Sequence, residues 1–377
     1  MSSTSVASKV ITAGFAIFSM IFGSGNVVFP LIVGKDFFDN CFFAIVGWLL
    51  ATVIIPMVGY FGAMLFDADH KKYLAPIGKH ATAILMFLIM MMVGPFGVIA
   101  RGINVSFGGI HILSPSIPTV AFNFIYCSLM VLIAWNPGKI VQILGLVFTP
   151  LKFGGLLAMM LIAWYISDGI PFPLPEQETQ PISACLGGFM TGYQTMDLLA
   201  AFIMASTIYR YLKNVLPPDK QDDKKHLIKL TGWSCLIGAV VLGVVYSGLV
   251  VVGAQYTEQL TGVSNEALFP RVAEVALGSC ASWFVAIVIA VCCLATNIAL
   301  TSVFTDYLHK DILKEKFNRR IGILFVGGIS FVMSLLGFEE ICAILGKILE
   351  VIYPLLILFV MCRIIHYYIS VRKSPKG

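Results

Sequence analysis

Four residues, Gly23-Ser24-Gly25-Asn26, interrupt the first long apolar run of this chain near its middle. The sixth apolar run carries a similar interruption. It reads Gly187-Gly188, then Thr191-Gly192-Tyr193-Gln194, with Asp197 three residues further on. Glycine in a helix interior costs about 1 kcal/mol relative to alanine. In lipid, a broken helix also frees N–H and C=O groups that have no water to bind. Such breaks persist where they line a cavity. A half-helix that starts at mid-membrane offers N–H groups and a positive dipole end to an anion. The half-helix that stops there offers carbonyls to a cation. One break can therefore hold a carboxylate and a cation together. The competing reading is that these glycines only let helices pack closely, as in GxxxG pairs. Two matched breaks with polar neighbours favour a site over packing.

The residues divide the work as follows. The backbone at Gly23, with the amides near Ser24 and Gly25, suits a carboxylate. The carbonyls around Ser19, Ile21 and Phe22 suit a cation or an ammonium, and Asn26 adds a side-chain oxygen. In the sixth run, Gly192 opens the backbone and Tyr193 and Gln194 are polar, while Phe189, Met190 and Met196 are apolar. This set fits a small zwitterion with an apolar side chain. Asp197 lies within the span, where a carboxylate is functional by default. It either binds or relays a proton, or it anchors neighbouring backbone. Thr296 and Asn297 in the eighth run are hard oxygen ligands suited to Na⁺, with Thr301 and Ser302 lower; the alternative for them is helix–helix hydrogen bonding. Arg101, near the outer end of the third run, either snorkels to the interface or gates an outer vestibule. Lys347 and Glu350, spaced i,i+3 in the tenth run, are placed to neutralise each other.

Composition says what must hold these residues. The chain has 377 residues, 58% hydrophobic and only 12% charged, against roughly 25% charged in soluble domains. Mean hydropathy is +0.91. A span needs about 20 apolar residues. Ten such runs occur, at 10–33, 42–65, 81–105, 117–135, 142–166, 185–208, 231–253, 281–305, 320–337 and 341–363. The expected fold is an all-α polytopic membrane protein, with 1–377 as one transporter domain. The first apolar run lacks a small-residue cleavage site, so it is expected to stay as a span. The mixed segment 255–280 is expected to lie over one face as a short interfacial helix.

Charge orients the spans. Apart from Lys35, Arg101, Arg271 and Lys347, every Lys and Arg falls in the N-terminus, the tail or alternate connections. By the positive-inside rule both termini are cytoplasmic. The net charge of +5 thus reflects topology and anionic lipid, not nucleic acid. Residues 9–166 and 185–365 form two five-span halves of opposite orientation. That is the arrangement of an inverted repeat with its site at matched breaks. The nine cysteines show no CxxC, and the six histidines form no HxxxH. No metal cluster or cofactor is expected, and the absence of grouped His, Cys or acidic pairs argues against an enzyme. A non-transporting sensor is disfavoured by the short tails.

Several segments resemble the branched-chain amino acid:cation symporters, the bacterial system II carriers for leucine, isoleucine and valine. They are FAIFSMIFGSGNVVFP (15–30), GP…AR…VSF (94–107), PGKIVQILGLVFTP (137–150), GYQTMD (192–197), CLATNIALTS (293–302) and ILEVIYP (348–354). The resemblance implies a ten-helix core similar to the leucine-transporter fold, with helices 1 and 6 broken, in the bacterial inner membrane. It implies a substrate carboxylate on the Ser24 and Gly25 amides. It also implies Na⁺ or H⁺ coupling, with a cation between the Ser19 and Phe22 carbonyls and Thr296. A neutral amino acid exchanger or a broader-specificity amino acid carrier on the same fold is the alternative. Oligomeric state is left open. The chain departs from the family pattern at Ala100, Gly108 and Ala295, which stand for a proline, an acidic residue and a second hydroxyl. It also ends where family members usually continue for two more spans.

Overall fold

The computed structural model describes residues 6–135, 149–166, 179–215, 223–314, 316 and 318–373, and the described residues are overwhelmingly helical. The first span forms two helices, α1 (Val6–Ile21) and α2 (Gly25–Asp36), bent by 73° at the break. The apolar runs that follow give α3 (Phe38–Leu65), with a π-helical turn at Leu50–Ile54, and then α4 (Lys79–Val93) and α5 (Val98–Leu113). Next come α6 (Thr119–Ala134) and α7 (Thr149–Ile166). The sixth span is again two helices, α8 (Pro181–Tyr193) and α9 (Asp197–Val215). The remainder comprises α10 (Lys224–Gln255), α11 (Leu268–Leu277), α12 (Ser279–Tyr307), α13 (Arg319–Ser334) and α14 (Phe338–Lys373).

Helix therefore occupies the described part of every expected run. Among the described residues, five stretches are long and apolar enough to cross a membrane, or six with the bent α1–α2 pair. Of the other expected runs, α6 and α13 have 16 residues each, the sixth is divided by its break, and the fifth lies partly outside the described residues. Residues 137–148 of the PGKIVQILGLVFTP segment lie outside the described residues.

The helices sort into two groups. One holds α1, α2, α3, α8, α9 and α10, and the other α5, α6, α12 and α13. Glycines set how closely the first group packs. A Cβ on Gly47 of α3 would lie 1.8 Å from the Cys185 carbonyl oxygen of α8, and one on Gly188 would lie 2.3 Å from the Ala44 carbonyl oxygen of α3. The α2–α10 contact uses the same device at Gly34 and Gly253. Gly187 and Gly188 are thus a packing face inside a continuous helix, not a break. The sequence reading of a break there is corrected. The segment 255–280 is also more deeply set than an interfacial helix, since Leu268, Phe269, Val272 and Ala273 of α11 are almost completely buried.

Candidate functional site

The fold brings the two breaks face to face. Asn26, the second residue of α2, donates from Nδ2 to both carboxylate oxygens of Asp197, at 2.9 and 3.0 Å. Asp197 is the first residue of α9. The Tyr246 hydroxyl of α10 accepts from the same Asn26 amide and donates to Asp197 Oδ2 at 3.4 Å. The other end of the Asn26 side chain holds the break itself, where its Oδ1 accepts the Gly23 N–H at 3.0 Å. One amide thus fixes the backbone of one break and the carboxylate of the other. Asn26, Asp197 and Tyr246 are all at most 2% exposed. Both Asp197 oxygens accept from the Asn26 amide. These bonds tie Asp197 to side chains of α2 and α10.

The sixth-span break is shorter and later than expected, running from Gln194 to Met196. Its strain sits at Met196, whose φ is 59°. Left-handed backbone is uncommon for a non-glycine residue and clusters at functional sites. The Tyr193 carbonyl accepts the Met196 N–H at 3.1 Å, and Thr195 Oγ closes the turn by donating to the Gly192 carbonyl at 2.8 Å. Arg101 meets the carbonyl end of α8, donating to the Gln194 carbonyl at 2.7 Å. Its guanidinium also lies 5.4 Å from the centre of the Phe29 ring. A cation at a helix C-terminus and a carboxylate at the next N-terminus both match the helix dipoles. Arg101 is 1% exposed, so snorkelling is ruled out. The guanidinium points into the bundle because the freed Gln194 carbonyl is there to receive it.

The remaining expected residues fall in distinct places. Ser24 is buried, its hydroxyl has no partner among the described residues, and its N–H and that of Gly25 have no acceptor among them either. Phe22 stacks on Phe18 and Tyr246, with ring centres 5.3 and 5.8 Å apart. Tyr193 packs at a tilt on Tyr353, with ring centres 4.6 Å apart, and edge-on against Phe189 at 5.0 Å. Gln194 Nε2 donates to the Cys342 carbonyl of α14 at 3.3 Å, leaving its Oε1 unpartnered. Gly192 packs against α3, where a Cβ would lie 2.5 Å from that of Ala51. Met190 is 49% exposed on the outer surface of α8, so it is corrected out of the set facing a substrate.

The expected cation ligands on the eighth span also make helix hydrogen bonds through their donors. Asn297 donates to the Ile99 carbonyl at 3.1 Å and to the Tyr126 hydroxyl at 3.3 Å, tying α12 to α5 and α6. Thr296 Oγ donates to the Cys292 carbonyl of its own helix at 3.2 Å. The α1 helix carrying Ser19 packs chiefly on α10 and α9, away from α12. No group of three or more His, Cys, Asp or Glu suited to a metal occurs among the described residues.

Sequence reasoning missed Tyr246, Trp48 and Tyr353. Trp48 packs edge-on against Tyr246 at 5.9 Å, and its indole N–H has no partner among the described residues. The signal for Tyr246 was a lone phenol in the apolar run LGVVYSGLVV. At Gly108, the acidic side chain expected from the family pattern is replaced from another element: a Cβ there would lie 2.4 Å from Glu266 Cγ. Glu266 fills the space that the glycine leaves.

Comparison with known proteins follows the same lines. The family described as "Branched-chain amino acid transport protein" matches residues 6–375. The chain is 28% identical over 376 residues to the branched-chain amino acid permease BrnQ of Bacillus subtilis, covering 97% of this chain and 83% of that one. It is 26% identical over 349 residues to BrnQ of Escherichia coli K12, covering 92% and 77%. It is 28% identical over 350 residues to the branched-chain amino acid transport system 3 carrier protein of Pseudomonas aeruginosa, covering 92% and 78%. Among solved structures, a manganese transporter of Eremococcus coleocola shares the fold, with a TM-score of 0.52 and 13% identity over 87% of this chain and 70% of that one.

Proposed function

This chain belongs to the branched-chain amino acid transport protein family, and on that premise we propose that it imports leucine, isoleucine and valine across the bacterial inner membrane. The chain is multi-pass, and the positive-inside rule puts both termini in the cytoplasm. The ten expected runs form two inverted five-span halves that work by alternating access. The observation that carries the site is the joint between the two breaks, where Asn26 spans from Gly23 to Asp197. The substrate carboxylate binds the free N–H groups of Ser24 and Gly25 at the positive end of α2. The apolar side chain lies among Phe22, Tyr193 and Phe189. Burial of a CH₂ contributes about 0.8 kcal/mol, so leucine binds more tightly than alanine.

The coupling ion, Na⁺ or H⁺, acts at the same joint. Asp197 is the carboxylate within the two breaks, and either ion changes how strongly it holds Asn26. This reading moves the cation from the eighth span to Asp197 and the α1 carbonyl end. The test is radiolabelled leucine uptake into proteoliposomes under a Na⁺ or an H⁺ gradient, with cold isoleucine or valine as competitor. Accumulation driven by one gradient and blocked by the competitors names the ion and supports a symporter. Exchange without accumulation refutes symport and favours the exchanger. An ion dependence that disappears in Thr296→Ala and persists in Asp197→Asn would return the cation to the eighth span.

A further inference from the structure

The last helix packs through one stripe. Ile341, Leu345, Leu349, Tyr353, Leu356 and Val360 are buried, yet only 28% of the apolar window of α14 is covered, against 44% to 56% for the other four long helices. The opposite face presents Ala343, Lys347, Glu350, Pro354 and Met361, all exposed. Their spacing of four, three, four and seven is the heptad seam of a helix that packs against another helix. Two of these residues are charged, inside the apolar run 341–363. The expected Lys347–Glu350 pair is not formed, and neither residue makes an ion pair or hydrogen bond with any other described residue.

Unpaired ions facing hydrocarbon are costly, and lipid tails supply no counter-charge. A face that carries one cation and one anion is complementary to itself. Self-complementarity is the requirement for an isologous twofold contact. Two copies in one membrane share an orientation, so their α14 helices run parallel about an axis along the membrane normal. The i,i+3 spacing offsets the two charges by about 4.5 Å along the helix. Each Lys347 then reaches the partner's Glu350, and the four charges sum to zero. Polar residues at such a seam fix register and partner number.

We propose that the Ala343–Met361 face of α14 is the contact for a second copy of this chain, closed by two reciprocal Lys347–Glu350 ion pairs. The test counts photobleaching steps on fluorophore-labelled full-length protein in sparsely loaded lipid vesicles. Wild type bleaches in two steps. Lys347→Glu and Glu350→Lys each gather four like charges and raise the dimer dissociation constant at least a hundredfold, giving single steps. The double exchange, Lys347→Glu with Glu350→Lys, restores two steps and shows that the single variants were folded. Single-step bleaching of wild type overturns the proposal. So do persistent dimers in both single variants, or failure of the double exchange to recover them.

Discussion

The Asn26–Asp197 contact is the interaction on which the joint depends, and a double-mutant cycle measures it. Asn26→Ala leaves the Asp197 carboxylate, 1% exposed, without the two bonds at 2.9 and 3.0 Å. The longer Tyr246 contact at 3.4 Å and the Thr195 side chain remain. Removing one partner of a buried charge costs about 3–5 kcal/mol. Asp197→Ala strands a neutral amide, which costs about 1–3 kcal/mol. Neutral hydrogen bonds between membrane helices couple by only about 0.6 kcal/mol on average. Charge assistance roughly doubles a bond's strength, and here two oxygens share the donor. The expected coupling energy is therefore about 2 kcal/mol, with the double variant less damaged than the two single losses added. Equilibrium unfolding in mixed micelles gives the four free energies, and leucine uptake supplies a parallel readout. Additivity within about 0.5 kcal/mol, the range for independent sites, would refute the claim that these residues act as one unit.

Four further outcomes are expected. Arg101→Lys keeps the charge but loses the planar fork that meets the Gln194 carbonyl at 2.7 Å; a loss of about 1.4 kcal/mol lowers uptake tenfold, Arg101→Met lowers it further, and equal uptake by all three proteins would show that the guanidinium is dispensable. Gly25→Val brings a branched side chain onto a position whose Cβ already lies 3.0 Å from the Phe29 ring, so uptake is abolished while the protein still reaches the membrane, and normal uptake would displace the site. Gly47→Ala costs about 1–3 kcal/mol or more by overpacking, because its Cβ would sit 1.8 Å from a backbone oxygen, whereas Gly243→Ala meets open space; equal melting temperatures for the two variants would contradict the close α3–α8 contact. Between α3 and α4, Asp67 pairs with Lys72 and Lys224 at 3.2 and 3.3 Å. Burial pushes the Asp67 carboxyl up, but the Lys72 hydrogen bond and the pull of Lys224 overcome it and hold the group below its ordinary 3.8. Its contribution is thus complete above the ordinary carboxylate value and fades as pH falls through the folded value, below about pH 4. Asp67→Asn should flatten the acid side of a melting-temperature profile, and an unchanged acid limb would exclude the latch.

Much of this architecture was legible because lipid enforces simple rules. Apolar runs must be helices, and a glycine-flanked polar break such as Gly23–Asn26 stands out against them. The 73° bend appears where the sequence puts it. Gly187-Gly188 misled because glycine signals two opposite things. It loosens a helix from within, and it lets a neighbour approach from outside; only the position of Ala44 on α3 decides between them. Arg101 was open between the interface and a gate. Its partner, a carbonyl exposed by a break 93 residues away, could not be read from its place along the run. Asn297 shows a junction that no sequence pattern reveals: its amide N–H groups join three helices through the Ile99 carbonyl and the Tyr126 hydroxyl.

The two breaks also differ in what holds them, and this bears on how the joint works. The first is pinned by a side chain of its own half-helix, through Asn26 to the Gly23 N–H. The second is strained at Met196 and clamped from outside by Arg101. Backbone held in a sparse conformation costs of order 1–3 kcal/mol and persists only when its surroundings dictate it. Those surroundings come from α5, through Arg101, and from α2, through Asn26, which belong to the two different helix groups. Asp197 ties α9 to α2 inside one group, while Arg101 ties the end of α8 to α5 of the other. The two contacts therefore divide the load: Asn26 closes the joint within its own group, and the guanidinium holds that joint against the neighbouring group.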